Sequence, residues 1–64
     1  MSDEKDLTLD ELLVKEAETH DPKIQYYISE KYKEAEDYIN SFYWSELSAA
    51  QNYPDGIARL AWHY

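Results

Sequence analysis

Apolar residues recur along this chain at helical intervals in four stretches, and each stretch opens on a residue able to hold a helix N-terminus. Thr8-Leu9-Asp10-Glu11 has the form of a capping box, a hydroxyl at the N-cap with a carboxylate three residues on, and Leu7 stands at the staple position before it. Leu9, Leu13 and Ala17, with Leu12 alongside, then make an apolar stripe that leaves Asp10, Glu11, Lys15, Glu16 and Glu18 for water. Asp21-Pro22 offers a side-chain acceptor followed by a proline at the first helical position, and Ile24, Ile28 and Tyr32 share the face that follows. The stretch from Lys33 to Glu36 interrupts that pattern. Asp37 caps a third helix running to about Gln51, with Ser41, Trp44 and Ser48 on one stripe and Phe42 and Ala49 on the next. Small residues beside a tryptophan predict a close approach of helices. Asn52 suits the left-handed conformation that ends a helix, and Pro54 opens a fourth through to Tyr64.

Sixty-four residues allow one small domain. At 44% hydrophobic and 16% aromatic the chain is too apolar for the disordered class. Apolar burial in a domain this small is about matched by the cost of ordering it, and without cysteine no disulfide relieves the balance. Help from a partner or an oligomer is expected. The formal charge of −8 is uneven: residues 1–21 hold eight acids and two lysines, whereas all ten aromatics lie between Tyr26 and Tyr64. Such acidity argues against a phosphate-contacting surface and favours a basic partner. No apolar run approaches the roughly 18 residues of a membrane span, and MSDEKD lacks the basic and apolar regions of a signal peptide, so a cytoplasmic protein is expected. Residues 1–7 read as an acidic flexible tail and residues 8–64 as one helical domain.

Setting Pro22 over Pro54 superposes the chain on itself at an offset of 32 residues, with Ile28 on Leu60, Tyr32 on Tyr64, Ala17 on Ala49 and Leu12 on Trp44. Periods in the thirties belong to helix-pair solenoids, whose units must stack to bury a core. The segment from Asp37 through Ser41, Trp44, Ser48-Ala49 and Asn52, followed by Gly56, Leu60 and Tyr64, resembles the SLR (Sel-one-like repeat) class of tetratricopeptide-related repeats. That pattern has alanine where Ser41, Ser48 and Gly56 stand, and glycine where Asn52 and Glu36 stand; Ile28-Ser29 and Tyr32 resemble the start of a first helix. The resemblance implies an all-α, short α-α superhelix of about four helices, with a degenerate half-repeat over residues 8–20, a full repeat over 21–52 and a half-repeat over 53–64. It implies a protein-recognition or scaffold role without catalysis or cofactor. It also implies that first helices line the binding surface, which would place some of Tyr26, Ser29, Glu30, Lys33, Arg59, Trp62 and His63 towards a ligand peptide.

Candidate chemistry elsewhere is thin. His20 and His63 belong to no metal-binding spacing, and Glu16 with His20 supplies only two ligands. No cysteine nucleophile exists, Ser41, Ser45 and Ser48 fit packing positions, and a single glycine builds no phosphate loop. Trp44, Phe42, Tyr32 and Tyr64 fall at core spacing. Tyr26, Tyr27, Tyr43, Tyr53 and Trp62 exceed what four helices enclose and, with Ile57, Arg59, Leu60 and Tyr64, are the expected protein-binding residues. The function expected is a module binding another chain, or itself, through an aromatic helix face, either as a homo-oligomer or as part of a longer array. The alternative is a small acidic inhibitor that blocks a basic, nucleic-acid-binding surface.

Overall fold

The computed structural model describes residues 4–64, and all of its regular structure is helical. After a 3-10 turn at Glu4–Asp6 come α1 (Leu9–Thr19), α2 (Pro22–Glu34), α3 (Tyr38–Ala50) and α4 (Pro54–His63). The expected all-α arrangement of four helices is what forms. Each boundary has a local cause. Thr8 Oγ1 accepts from the Glu11 N–H at 3.2 Å and the Glu11 carboxylate accepts from the Thr8 N–H at 2.9 Å, a complete capping box. Asp21 accepts from the Lys23 N–H at 2.9 Å and Asp37 from the Asn40 N–H at 3.3 Å.

The C-termini of α2 and α3 close in the same way. Glu36 (φ 60°) and Asn52 (φ 61°) are both left-handed. Around Glu36, the N–H groups of Glu36 and Asp37 donate to Lys33 and Tyr32; around Asn52, those of Asn52 and Tyr53 donate to Ala49 and Ser48. Both sets of bonds make the Schellman motif.

Contacts between elements set the directions. Pro22 meets Ser48 while Ser29 meets Ser41, so α2 and α3 are antiparallel. Gly56 meets Ser48 while His63 meets Ser41, so α3 and α4 are antiparallel too. It follows that α2 and α4 run parallel on the same side of α3, where Glu30 reaches Arg59 and Lys33 reaches Trp62.

The core lies between α1 and α2: Leu12, Ile24 and Ile28 are fully buried, with Leu7, Leu9, Leu13, Tyr27, Tyr32 and Trp44 packed around them. The seams along α3 use small residues, with Ser29, Ser41, Ser45 and Ser48 fully buried. The Ser29 hydroxyl donates to the Ser41 carbonyl at 2.8 Å, and the Ser48 hydroxyl donates to the Pro22 carbonyl at 2.8 Å. Each buried hydroxyl therefore has an acceptor. Gly56 faces Ser48 so closely that a Cβ on it would lie 2.6 Å from the Ser48 Cβ and closer still to Oγ.

Two expectations need correction. On α1 the buried stripe is Leu9, Leu12, Leu13 and Glu16 rather than Leu9, Leu13 and Ala17, and Ala17 faces solvent. Glu16 is enclosed because its Oε2 accepts from Gln25 Nε2 at 2.9 Å and lies 3.2 Å from His20 Nδ1. Tyr64 is 86% exposed rather than core, since α4 turns Gly56, Leu60 and His63 inward and leaves Ile57, Ala61 and Tyr64 outward. Residues 1–3 of the expected tail lie outside the described residues. In its remainder Glu4 bridges Lys23 at 2.8 Å and Lys15 at 3.3 Å, and Leu7 packs on the core.

Candidate functional site

The parallel run of α2 beside α4 brings together residues almost 30 positions apart in sequence, centred on Arg59. Its guanidinium pairs with the Glu30 carboxylate, lies 5.9 Å from the Tyr26 ring and 5.4 Å from the Trp62 ring. Tyr26 donates to the same Glu30 oxygen at 3.0 Å. The Lys33 ammonium sits 4.8 Å from the Trp62 ring on its other flank, and Tyr53 lies 6.0 Å from Tyr26. Cation–π contacts and a half-buried ion pair tie these side chains to one another, which reduces the ordering a ligand must impose on them. Arg59 Nε is buried without an acceptor.

Two hollows flank this centre. One, of about 160 Å³, is lined by Tyr26, Asp55, Ala58, Arg59 and Trp62. The other, of about 400 Å³, lies between α2 and the 3-10 turn and is walled by Tyr26 and Tyr27, with Asp6, Glu30, Lys31 and Glu34 at its rim. Both acidic and basic groups line the face, so its recognition is polar and aromatic rather than single-signed. Burial pushes the Tyr53 hydroxyl above the usual tyrosine range, with Asp55 adding to the effect, so it is a neutral donor at neutral pH.

Of the expected binding residues, the fold gathers Tyr26, Tyr53, Arg59 and Trp62 here, with Tyr27 at the edge. Glu30 and Lys33 join them, but Ser29 and His63 do not. Ser29 is buried in the seam against Ser41, and His63 turns towards α3, 3.0 Å from Ser41 Oγ and edge-on to Phe42. Leu60 is half-buried, Ile57 is exposed on the outer side of α4, and Tyr43 stands edge-on to Trp44 on α3. Tyr64 stands edge-on to Phe42. The sequence reading missed Tyr38 and Ile39, both exposed at the start of α3.

Ser41 Oγ and His63 Nε2 have the separation of a nucleophile and its base, yet Ser41 is wholly enclosed. Ser29 donates to the Ser41 carbonyl, and Ser41 Oγ lies within hydrogen-bond distance of both Ser29 Oγ, at 3.1 Å, and His63 Nε2, so either tautomer of a neutral His63 completes the chain of bonds. Burial, with Arg59 and Lys33 nearby, holds the His63 imidazole below the ordinary histidine range and favours that neutral form. Glu16 and His20, the other pair of interest, form one end of a network in which Gln51 Nε2 donates to the Gln25 side chain at 3.0 Å and to the His20 carbonyl at 2.9 Å. Among the described residues no group of three or more His, Asp or Glu side chains is arranged to hold a metal ion, and no helix is long and apolar enough to cross a membrane. Compared with known proteins, the chain matches no family model, no curated protein and no solved structure.

Proposed function

We propose that this chain is a non-catalytic protein-interaction module of the SLR and tetratricopeptide type, which takes a segment of a partner protein on the face shared by α2 and α4. The observation that carries this reading is the interlinked cluster of Tyr26, Glu30, Lys33, Arg59 and Trp62 on two parallel helices. Tyrosine, tryptophan and arginine are the residue types that dominate binding energy at protein interfaces. Here they line two open hollows of about 400 and 160 Å³. Arg59 Nε adds a desolvated donor that a carbonyl or carboxylate from a partner would satisfy.

Selection from a random peptide display library against the full chain tests this. Peptides should be recovered whose binding falls at least about tenfold in Tyr26→Ala and in Arg59→Met and is unchanged in Glu46→Gln, a substitution on the exposed side of α3. Recovery of peptides indifferent to Tyr26 and Arg59 overturns the assignment of the face. Binding that collapses with added salt and is confined to strongly basic peptides favours instead an acidic decoy for a basic surface.

A further inference from the structure

We infer that a second face, formed by the N-terminal half of α3 and the C-terminal end of α4, pairs two copies of this chain about a two-fold axis. Tyr38, Ile39, Tyr43, Trp62 and Tyr64 are 48%, 85%, 54%, 54% and 86% exposed. Ring contacts join Tyr38, Trp62 and Tyr64 through His63 and Phe42: Trp62 lies 6.0 Å from Tyr38 and 5.0 Å from His63, while Phe42 lies 5.6 Å from His63 and 5.9 Å from Tyr64. At about 150–250 Å² per aromatic ring, this patch exposes on the order of 600 Å². That equals the largest patch found on ordinary monomers and approaches the area each partner contributes to a stable complex.

Two features select a second copy as the occupant. The first is charge. Twelve acids and five lysines fall in residues 1–37, a balance of −7, whereas residues 38–64 carry two acids and Arg59, a balance of −1. Copies of so acidic a chain repel one another elsewhere, and α3 with α4 is where close approach costs least. The second is shape. A shallow groove of about 330 Å³ lined by Tyr38, Ile39, Phe42 and His63 lies beside the projecting Tyr64 side chain, which stands edge-on to Phe42, so groove and knob sit on one face, as an isologous contact requires. A head-to-tail chain of copies would need a second apolar face. Outside this patch the exposed large hydrophobic residues are Val14 on α1 and Ile57 on the outer side of α4, too few to provide one.

The dimer face shares Trp62 with the α2–α4 binding face but does not rest on that reading, since Ile39, Tyr43 and Tyr64 lie outside the Arg59 cluster. Sedimentation equilibrium of the full chain from about 1 µM to about 1 mM reads it directly. The expected result is a monomer–dimer equilibrium that persists as salt is raised, because apolar contact is not screened. Ile39→Glu should weaken the dimer by about 100-fold or more, since the two-fold axis introduces the carboxylate twice. Tyr64→Glu should act in the same direction, while Val14→Glu, the same kind of charge change on α1, should leave the dimer intact. Far-UV circular dichroism checks that all three keep their helices. A chain that stays monomeric throughout, a dimer that dissociates in salt, or one that tolerates Ile39→Glu overturns the inference. Peptide capture through Tyr26 and Arg59 in the Ile39→Glu variant separates its failure from that of the proposed function.

Discussion

Glu36 shows how much a single backbone conformation constrains. Its φ of 60° places an L side chain in the left-handed region, where only glycine escapes the clash of Cβ with the carbonyl. The side chain is exposed, so nothing is lost by deleting it. Glu36→Gly is expected to raise stability by about 0.5–1 kcal/mol, measured by urea unfolding; Asn52→Gly should gain less, because asparagine tolerates this region. Gly56 is the opposite case. Its φ is ordinary, but Ser48 occupies the space a methyl group would need. Gly56→Ala is therefore expected to destabilise by about 1–3 kcal/mol despite the better helix propensity of alanine. Adding Ser48→Ala should recover only part of this, since it removes the hydroxyl from the clash but leaves Cβ against Cβ.

At the scale of elements, α1 is joined to the rest by a small apolar core and by a hydrogen-bonded chain of one carboxylate and two side-chain amides. Glu16, Gln25 and Gln51 link α1, α2 and α3, and each depends on the next for its hydrogen bonds. Glu16→Gln keeps an oxygen for the Gln25 amide and should cost under about 1 kcal/mol. Glu16→Leu leaves the Gln25 amide buried without that acceptor and should cost about 1–3 kcal/mol, with α1 losing amide protection in hydrogen exchange before α2 and α3. Equal stability for the two variants would remove the network from the account of how α1 is held. The Glu4 bridge to Lys23 and Lys15 is more exposed and salt-screened, so it orients the 3-10 turn more than it stabilises the domain.

For the whole molecule, the lowered proton affinities of His63 and Glu4 in the folded chain favour unfolding in acid. The folded chain holds His63 below the ordinary value of about 6.5, chiefly through burial, so the unfolded chain binds more protons as pH falls through that value. Stability that is full above about pH 6.5 is therefore lost as pH falls towards the folded pKa of His63. Glu4, lowered chiefly by its hydrogen bond to Lys23, adds a further loss below the usual carboxylate range. The melting temperature should accordingly fall between pH 7.5 and 5.5, and His63→Gln should flatten that first step while leaving the one at lower pH. A melting temperature that rises on acidification would contradict the enclosure of His63 against Ser41 and Phe42.

What was legible in the sequence is the set of decisions made within a few residues. The capping box at Thr8, the Asp21-Pro22 and Asp37 starts, and the left-handed stop at Asn52 depend on neighbouring backbone groups, so position along the chain sufficed to place four helices. The small residues of α3 likewise announced a close seam. Which face each helix turned inward was decided only by packing. Glu16 rather than Ala17 is buried because Gln25, nine residues away, supplies its partner. His63 turned to α3 and left Arg59 and Trp62 to the α2–α4 face because Ser41 and Phe42 receive it. Hydrogen-bond partners and ring neighbours distant in sequence have no local signature, and so the assembly of the candidate site around Arg59 emerges only when α2 and α4 lie side by side.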